Sequence, residues 1–278
     1  DQLDLRNYQF INGSSMEKDI LENKKIAVIG AGHIGQVIIK GLINSGKIKR
    51  SNIYISNKLN NVAIVKKADY ILIAVKPFFV KEVLKEIKPI IKNKIILSVA
   101  AGVSLEMLLS YSNTNQKIVR LMPNIPISEN KGFIGFIANK NISNSQKYKV
   151  FKLVSLLGKV FIVKKEEDLD VLTLVSGCGP AITAYFINLM SSYAENQGFS
   201  RKESINIALK IFEGTNIYLN SNNLTPSELI ESVATKGGVT EAIISSLNKN
   251  GMNKLFEEAM ESGYDKLRQF KKKLYLSK

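Results

Sequence analysis

The sequence predicts an α/β chain, with a doubly wound parallel sheet over residues 24–165 followed by an all-helical domain over residues 166–278. Three observations predict it. Residues 24–46 read as strand, glycine turn and helix in unbroken succession. Short apolar runs then alternate with helical stripes as far as residue 165. Beyond Asp168 only helical patterns remain, punctuated by glycine and proline.

Residues 1–23 form an N-terminal extension without clear periodicity. Gly13-Ser14-Ser15-Met16 reads as an expression-vector remnant, so residues 1–15 are set aside. Residues 25–29 are a short β-branched run that reads as a buried parallel strand. Gly30-Ala31-Gly32-His33-Ile34-Gly35 follows with the spacing G-x-G-x-x-G, and Ile34, Val37, Ile38, Gly41 and Leu42 continue at helical spacing. Strand, turn and helix in that order are the context a dinucleotide site needs. Residues 51–55 and 70–75 read as strands, but only residues 59–67 separate the turn after the first from the second. That is short for a parallel crossover, so the segment is read either as a short crossover or as lacking residues between Leu59 and Asn61. A helical stripe at Val80, Val83, Leu84 and Ile87 closes before Pro89. Strands are read at 94–99, 118–122, 132–138 and 160–163, with helices at 105–109 and 147–157. Helices are then expected at 181–197, 201–218, 228–234, 240–249 and 252–273.

The chain has 278 residues, 45% hydrophobic and 23% charged, the balance of an ordinary soluble protein. No continuous apolar run of ~18 residues and no charged-then-apolar leader is read, so neither a membrane partner nor export is expected. One cysteine permits no intrachain disulfide and fits a reducing, cytoplasmic setting. One cysteine and one histidine argue against a metal site. The net charge of +15 is spread along the chain and carried mostly by lysine, with no basic cluster interleaved with stacking aromatics. It reads as solvated faces that attract anionic ligands, not as a nucleic-acid surface.

The end of the second strand bears on cofactor choice. Dinucleotide folds that prefer NAD place an acid there. Here Ser56-Asn57-Lys58 offers hydrogen-bonding groups and a cation, so NADPH is favoured, with NADH as the alternative. His33 lies in the glycine turn and is read as lining a phosphate loop rather than as an acid. Cys178 is read as a turn or packing residue, and Lys76 as a cation at a carboxyl strand end. Residues 233–242 (VATKGGVTEA) break one helix with two glycines just before another starts. Thr235 and Thr240 flank them, a pattern able to take an anion such as a carboxylate. Wide apolar positions on the helices, including Ile182, Phe186, Leu189, Ile207 and Ile211, suggest burial against a second subunit.

The ordered set IGAGHIG (29–35), AVKP (74–77), AAGV (100–103), VRLMPNIP (119–126), VSGCGPA (175–181) and VATKGGVT (233–240) resembles the pyrroline-5-carboxylate reductase family. The likeness runs from about Lys24 to Arg268. It implies a Rossmann NAD(P)-binding domain, a helical dimerisation domain, and dimers that often build decamers. By matching motif, it places Ile29, Gly30, Ala31, Gly32, His33, Ile34 and Gly35 at the pyrophosphate. Asn57 falls by the adenosine ribose and its 2′-phosphate, and Asn61 at a cofactor contact. Ala74, Val75, Lys76 and Pro77, with Val99, Ala100 and Ala101, fall on the nicotinamide side. Thr235, Gly237, Gly238, Val239 and Thr240 match the substrate loop. Where the family usually has Asn-Met, Thr and Ser, this chain has His33-Ile34, Ile125 and Cys178. Lys236 replaces a proline of that loop and Val239 a threonine.

The resemblance implies NADPH-dependent reduction of the cyclic imine 1-pyrroline-5-carboxylate to L-proline. Thr240 is the expected proton donor or water-positioner and no metal takes part. A reductase of another cyclic imino acid, or a non-catalytic NADP-binding paralogue, is the alternative.

Overall fold

A computed structural model describes Leu21, residues 23–56 and residues 59–276. Residues 1–20, including the Gly13–Met16 stretch read as a vector remnant, and Asn57-Lys58 lie outside the described residues. Seven strands form one sheet in the order β2-β1-β3-β4-β5-β6-β7. β1 (Ile26–Ile29), β2 (Ile53–Ile55), β3 (Tyr70–Ile73), β4 (Ile95–Ser98) and β5 (Lys117–Pro123) are parallel. β6 (Gly132–Ala138) runs antiparallel to β5, and β7 (Gly158–Ile162) parallel to β6. The doubly wound parallel sheet expected from the sequence is thus present, with one antiparallel pairing, between β5 and β6. The link between β5 and β6 holds only the short 3-10 turn Ile125–Glu129. That is too little chain to return a strand in parallel.

Alternate residues of the strands point to opposite faces, and both faces are buried. Ile26, Val28, Leu72, Leu97, Val119 and Leu121 pack into one core under α1 (His33–Asn44) and α5 (Asn144–Ser155). Ala27, Ile29, Ile71, Ile73, Ile96 and Ile118 pack into the other under α2 (Asn61–Lys67), α3 (Val80–Ile87) and α4 (Leu105–Tyr111). α2 answers the question of the short crossover: a seven-residue helix bridges β2 and β3 and buries Ile64 and Val65. Ser143 and Gln146 form a capping box that starts α5 earlier than its apolar stripe suggests. Tyr70, sealed at the start of β3, has its phenol pushed up to about 12, chiefly by burial and further by Asp69.

From Asp168 onward the described chain is helical. α6 (Asp168–Leu172) passes through a π-helical turn, Thr173–Gly177, into α7 (Gly179–Asn196), so helix begins well before Pro180. α8 (Arg201–Asn222), α9 (Pro226–Val233), α10 (Val239–Lys249) and α11 (Met252–Leu276) follow. Capping boxes at Ser200/Glu203 and Thr225/Glu228 open α8 and α9. The helical run Asp168–Asn196 contains an 18-residue window apolar enough to cross a membrane, by length and composition only. This corrects the reading of no such run. The serines, threonines and asparagines between its apolar residues hide it from a search for continuous apolar sequence.

By packing, the chain divides into two compact units. One comprises the described residues up to Gly179 with those from Tyr264 on, and the other is Pro180–Gly263. The first closes two cores. In the second, Ala208 is the one fully buried apolar residue, while Tyr185, Leu189, Tyr193, Ile211, Ile217 and Ile243 are exposed.

Candidate active site

The site in the first unit begins where β1 ends. Gly30 has a φ of +103°, and a Cβ there would stand 2.5 Å from the Ala74 carbonyl carbon. The turn therefore needs glycine for its backbone conformation and for the approach of β1 to β3. A Cβ at Gly35 would run into the Gly30 carbonyl oxygen, so helix and turn also pack as the spacing predicts. Gly32 differs from both: a Cβ there meets nothing within 4 Å. It is the N-cap of α1, in extended backbone, with no side-chain cap and no acid in the first turn. The leading N–H groups of α1 are thus left to an external anion, at the positive end of the helix dipole. His33 is exposed as the first residue of α1, and Gln36 Nε2 donates to the Ala31 carbonyl at 3.0 Å.

Three neighbouring strands release their loops along this edge. Ser56 N donates to the Val28 carbonyl at 2.9 Å, Ala74 N to Ile29 at 2.8 Å, and Val99 N to Ile73 at 3.1 Å. The chain leaves β1 toward β2 on one side and returns to β3 on the other. The glycine turn therefore sits at the topological switch point, where open α/β sheets bind ligands. Ala74 and Ala100 are buried, so these loops present backbone rather than bulk. Lys76 is exposed, and Pro77 opens a short 3-10 turn closed by Phe79 N donating to the Lys76 carbonyl at 2.9 Å. A cleft on the β2 side of the turn is lined by Ala31, Gln36, Lys40 and Ile55 among others.

Asn57, expected at the ribose, lies outside the described residues. Asn61, expected at a cofactor contact, opens α2. It is 5% exposed, its Oδ1 accepts from the Ser56 hydroxyl, and its Nδ2 donates to Glu86 Oε2 at 2.7 Å. Both ends of its amide are engaged, tying Ser56 after β2 to Glu86 on α3.

Two further motifs meet in a contact that sequence reasoning did not anticipate. Asn124, after β5, accepts from Phe133 N at 2.9 Å and donates to Ser176 Oγ at 3.3 Å. Ser176 lies in the π-helical turn, where Cys178 N reaches back to the Thr173 carbonyl at 3.0 Å. Gly177 leaves room for the Met122 methyl. Such turns recur at functional sites. The signal available in sequence was the presence of both motifs, residues 119–126 and 175–181, in the set that carries the resemblance. Cys178 and Ile125 are exposed beside this contact.

The substrate-type loop lies in the second unit. Gly238 N donates to the Thr235 carbonyl at 2.9 Å, closing a turn with Gly237 at φ +76°, the position that type II turns reserve for glycine. Gly238 is the N-cap of α10, with no side-chain cap. Two of the loop's N–H groups already have partners within the chain. Gly237 N donates to Glu241 Oε2 at 2.5 Å, and Gly238 N is used in the turn. The donors left by position are the N–H groups opening α10, at Val239 and Thr240. Thr235 and Val239 are exposed and Thr240 half-buried. Among the described residues, no group of three or more His, Cys, Asp or Glu side chains could hold a metal.

Residues 166–270 match a family profile described as pyrroline-5-carboxylate reductase dimerisation. Residues 25–102 match one described as NADP oxidoreductase, coenzyme F420-dependent. The chain is 31% identical over 248 residues to a pyrroline-5-carboxylate reductase of Aquifex aeolicus, covering 84% of this chain and 92% of that protein. It is 30% identical over 261 residues to that of Corynebacterium melassecola, covering 87% and 96%. The crystal structure of Plasmodium falciparum pyrroline carboxylate reductase with NADP bound is similar, at 28% identity and a TM-score of 0.84. It covers 90% of this chain and 98% of that one. With the glycine turn at the switch point, the paired motifs at Asn124 and Ser176 and the loop before α10 all in sequence order, this chain belongs to the pyrroline-5-carboxylate reductase family.

Proposed function

We propose that the chain reduces 1-pyrroline-5-carboxylate to L-proline with NADPH, accepting NADH less well. The observation that carries the cofactor reading is the open turn at Gly32, in front of a helix whose start has neither a side-chain cap nor an acid. Family membership supplies the substrate.

Ile29 to Gly35 bind the pyrophosphate through backbone N–H groups. Asn57 recognises the ribose and its 2′-phosphate, and Asn61 holds Ser56 beside it. Ala74 to Pro77 and Val99 to Ala101 line the nicotinamide. When bound, the nicotinamide supplies the hydride that adds to the imine carbon. The Val239 and Thr240 N–H groups and the Thr235 hydroxyl hold the substrate carboxylate. The Thr240 hydroxyl delivers or positions the proton that the ring nitrogen takes as the carbon–nitrogen double bond becomes single. An imine protonated in water can be the bound form, so the main work of these residues is positioning, worth up to ~7–11 kcal/mol in favourable cases.

The exposed apolar faces of α7 and α8 are covered by a second copy of the chain, including the membrane-length run at Asp168–Asn196. Such dimers assemble further into decamers. The protein works in the cytoplasm without a nucleic-acid or membrane partner.

A panel of five- and six-membered cyclic imino acids, followed by nicotinamide absorbance with NADPH and NADH, tests the reading. Turnover confined to a six-membered substrate would replace the substrate, a change that Lys236 and Val239 in the loop would explain. NADPH binding with no turnover on any member would make the chain a non-catalytic relative. Thr240→Ala is expected to lower turnover by roughly a hundredfold while leaving NADPH affinity unchanged; unchanged turnover removes Thr240 from the mechanism.

A further inference from the structure

We propose that the end of α11, from Phe270 to Tyr275, is a positioning element for hydride transfer, bracing from behind the two loops assigned to the nicotinamide. The proposal rests on that assignment. Five attachments carry it. The Phe270 ring meets Phe78 edge to face, with centroids 5.4 Å apart and planes at 80°. Phe78 directly follows Lys76-Pro77 on the loop after β3. On the loop after β4, Gly102 has a φ of +76°, and a Cβ there would lie 3.2 Å from Phe270 Cδ1, 3.3 Å from Leu274 Cδ1 and 3.4 Å from Lys271 Cγ. The helix end therefore lies against that glycine with no space left over. Leu274 is 3% exposed and belongs to the same core cluster as Ala100 and Val103. Lys271 Nζ donates to Asp170 Oδ2 at 2.5 Å, on an aspartate 6% exposed. Tyr275 Oη adds a contact to Glu106 Oε2 at 3.4 Å.

The physical need for such a brace is local. The loop after β4 runs through Ala100, Ala101 and Gly102, small residues with little side chain of their own to fix its path. The loop after β3 leaves Phe78 and Phe79 half exposed. The side chains of α11 supply packing that these loops lack. Hydride transfer depends steeply on the approach of two carbons, and a displacement of ~1 Å can cost ~10²-fold in rate. Binding of the adenosine and pyrophosphate, assigned to Gly30–Gly35 and the β2 side, does not pass through this contact.

The test uses the full chain with 1-pyrroline-5-carboxylate and NADPH, comparing wild type with Phe270→Ala, Phe270→Leu and Phe270→Tyr. Expected for Phe270→Ala is a fall in kcat of roughly tenfold or more, with the NADPH dissociation constant, read by cofactor fluorescence, within about threefold of wild type. The deuterium isotope effect with 4-deuterated NADPH should rise as hydride transfer becomes rate-limiting. Phe270→Leu keeps apolar volume and should fall between, serving as the informative variant if Phe270→Ala does not fold. Phe270→Tyr keeps the ring contact and should restore kcat. Wild-type kcat and isotope effect in a folded Phe270→Ala or Phe270→Leu would overturn the brace. So would losses of kcat, cofactor affinity and melting temperature in step, the mark of a purely structural role. A wild-type chain that reduces no 1-pyrroline-5-carboxylate would overturn the reductase reading, and the brace with it.

Discussion

The two compact units treat the same residue type in opposite ways. In the sheet unit, Ile71, Ile73, Ile96 and Ile118 are sealed at 0% exposure. In the helical unit, Ile205, Ile211, Ile217 and Ile243 stand 39–57% exposed. A sheet covered by helices on both faces buries its strands within one chain. The helices of the second unit leave their apolar faces to solvent in the single chain, and a surface of that kind marks an interaction site. The sheet unit therefore closes its cores within one chain, whereas the helical unit, most of a segment matching a dimerisation family, leaves its apolar faces open.

The sharpest way to break this contrast is to put a charge on the uncovered face. Leu189→Arg on α7, a position 46% exposed in the single chain, should abolish assembly. A charge buried without a partner costs ~3–5 kcal/mol, and two copies meet in each dimer. Sedimentation should show monomer and the reductase assay no turnover; an intact oligomer would mean that this face is not the interface. Gly30→Ala attacks the other half. It forces a positive φ on alanine and drives a Cβ into the Ala74 backbone, for a cost of ~3 kcal/mol or more. NADPH affinity should drop by about a hundredfold while the oligomer persists.

Arg120→Met asks how much the sheet unit relies on a polar anchor. Arg120, 6% exposed, pairs with Glu166, whose Oε1 also accepts from Leu105 N at 2.7 Å. Removing the cation leaves a half-buried carboxylate short of a partner and should cost ~3 kcal/mol. Thermal unfolding of the holoenzyme should move down by roughly 6–12 °C. Equal melting would show that the pair adds nothing.

The smallest effect lies in the helical unit's caps. The Ser200 hydroxyl and N–H hold the Glu203 carboxyl below its ordinary 4.5, and Thr225 does the same for Glu228. A carboxylate lowered in the folded state stabilises fully above its ordinary value, and that contribution disappears as pH falls through the lowered one. The stability gap between wild type and Glu203→Gln with Glu228→Gln should therefore be present at neutral pH and close in acid. A gap that stays constant across that window would assign it to packing.

Much of the cofactor half was legible because its residues answer to local constraints. The glycine spacing demanded one turn, and the strand 132–138 was bounded by its own apolar run. Strand direction was not, since an apolar run looks the same either way. The brevity of the β5–β6 link was the available clue. The helix Asn61–Lys67 was missed because seven residues carry barely two turns of periodicity, and helix before Pro180 because Ser176-Gly177-Cys178-Gly179 reads as a break. Asn61 and Glu241 could not be placed from sequence. Their partners, Glu86 and Gly237 N–H, are set by how turns fold back.

The sequence by itself determined the family, the strand–glycine–helix cradle and the helical second half, because those rest on spacing along the chain and on which faces must leave water. The tertiary structure alone decided the rest: the reversal of β6, the meeting of Asn124 with Ser176, the engagement of loop donors by Glu241, and the seating of Phe270 and Leu274 against Gly102. Each joins groups whose contact depends on where neighbouring elements end in space, and no local pattern of polarity encodes that.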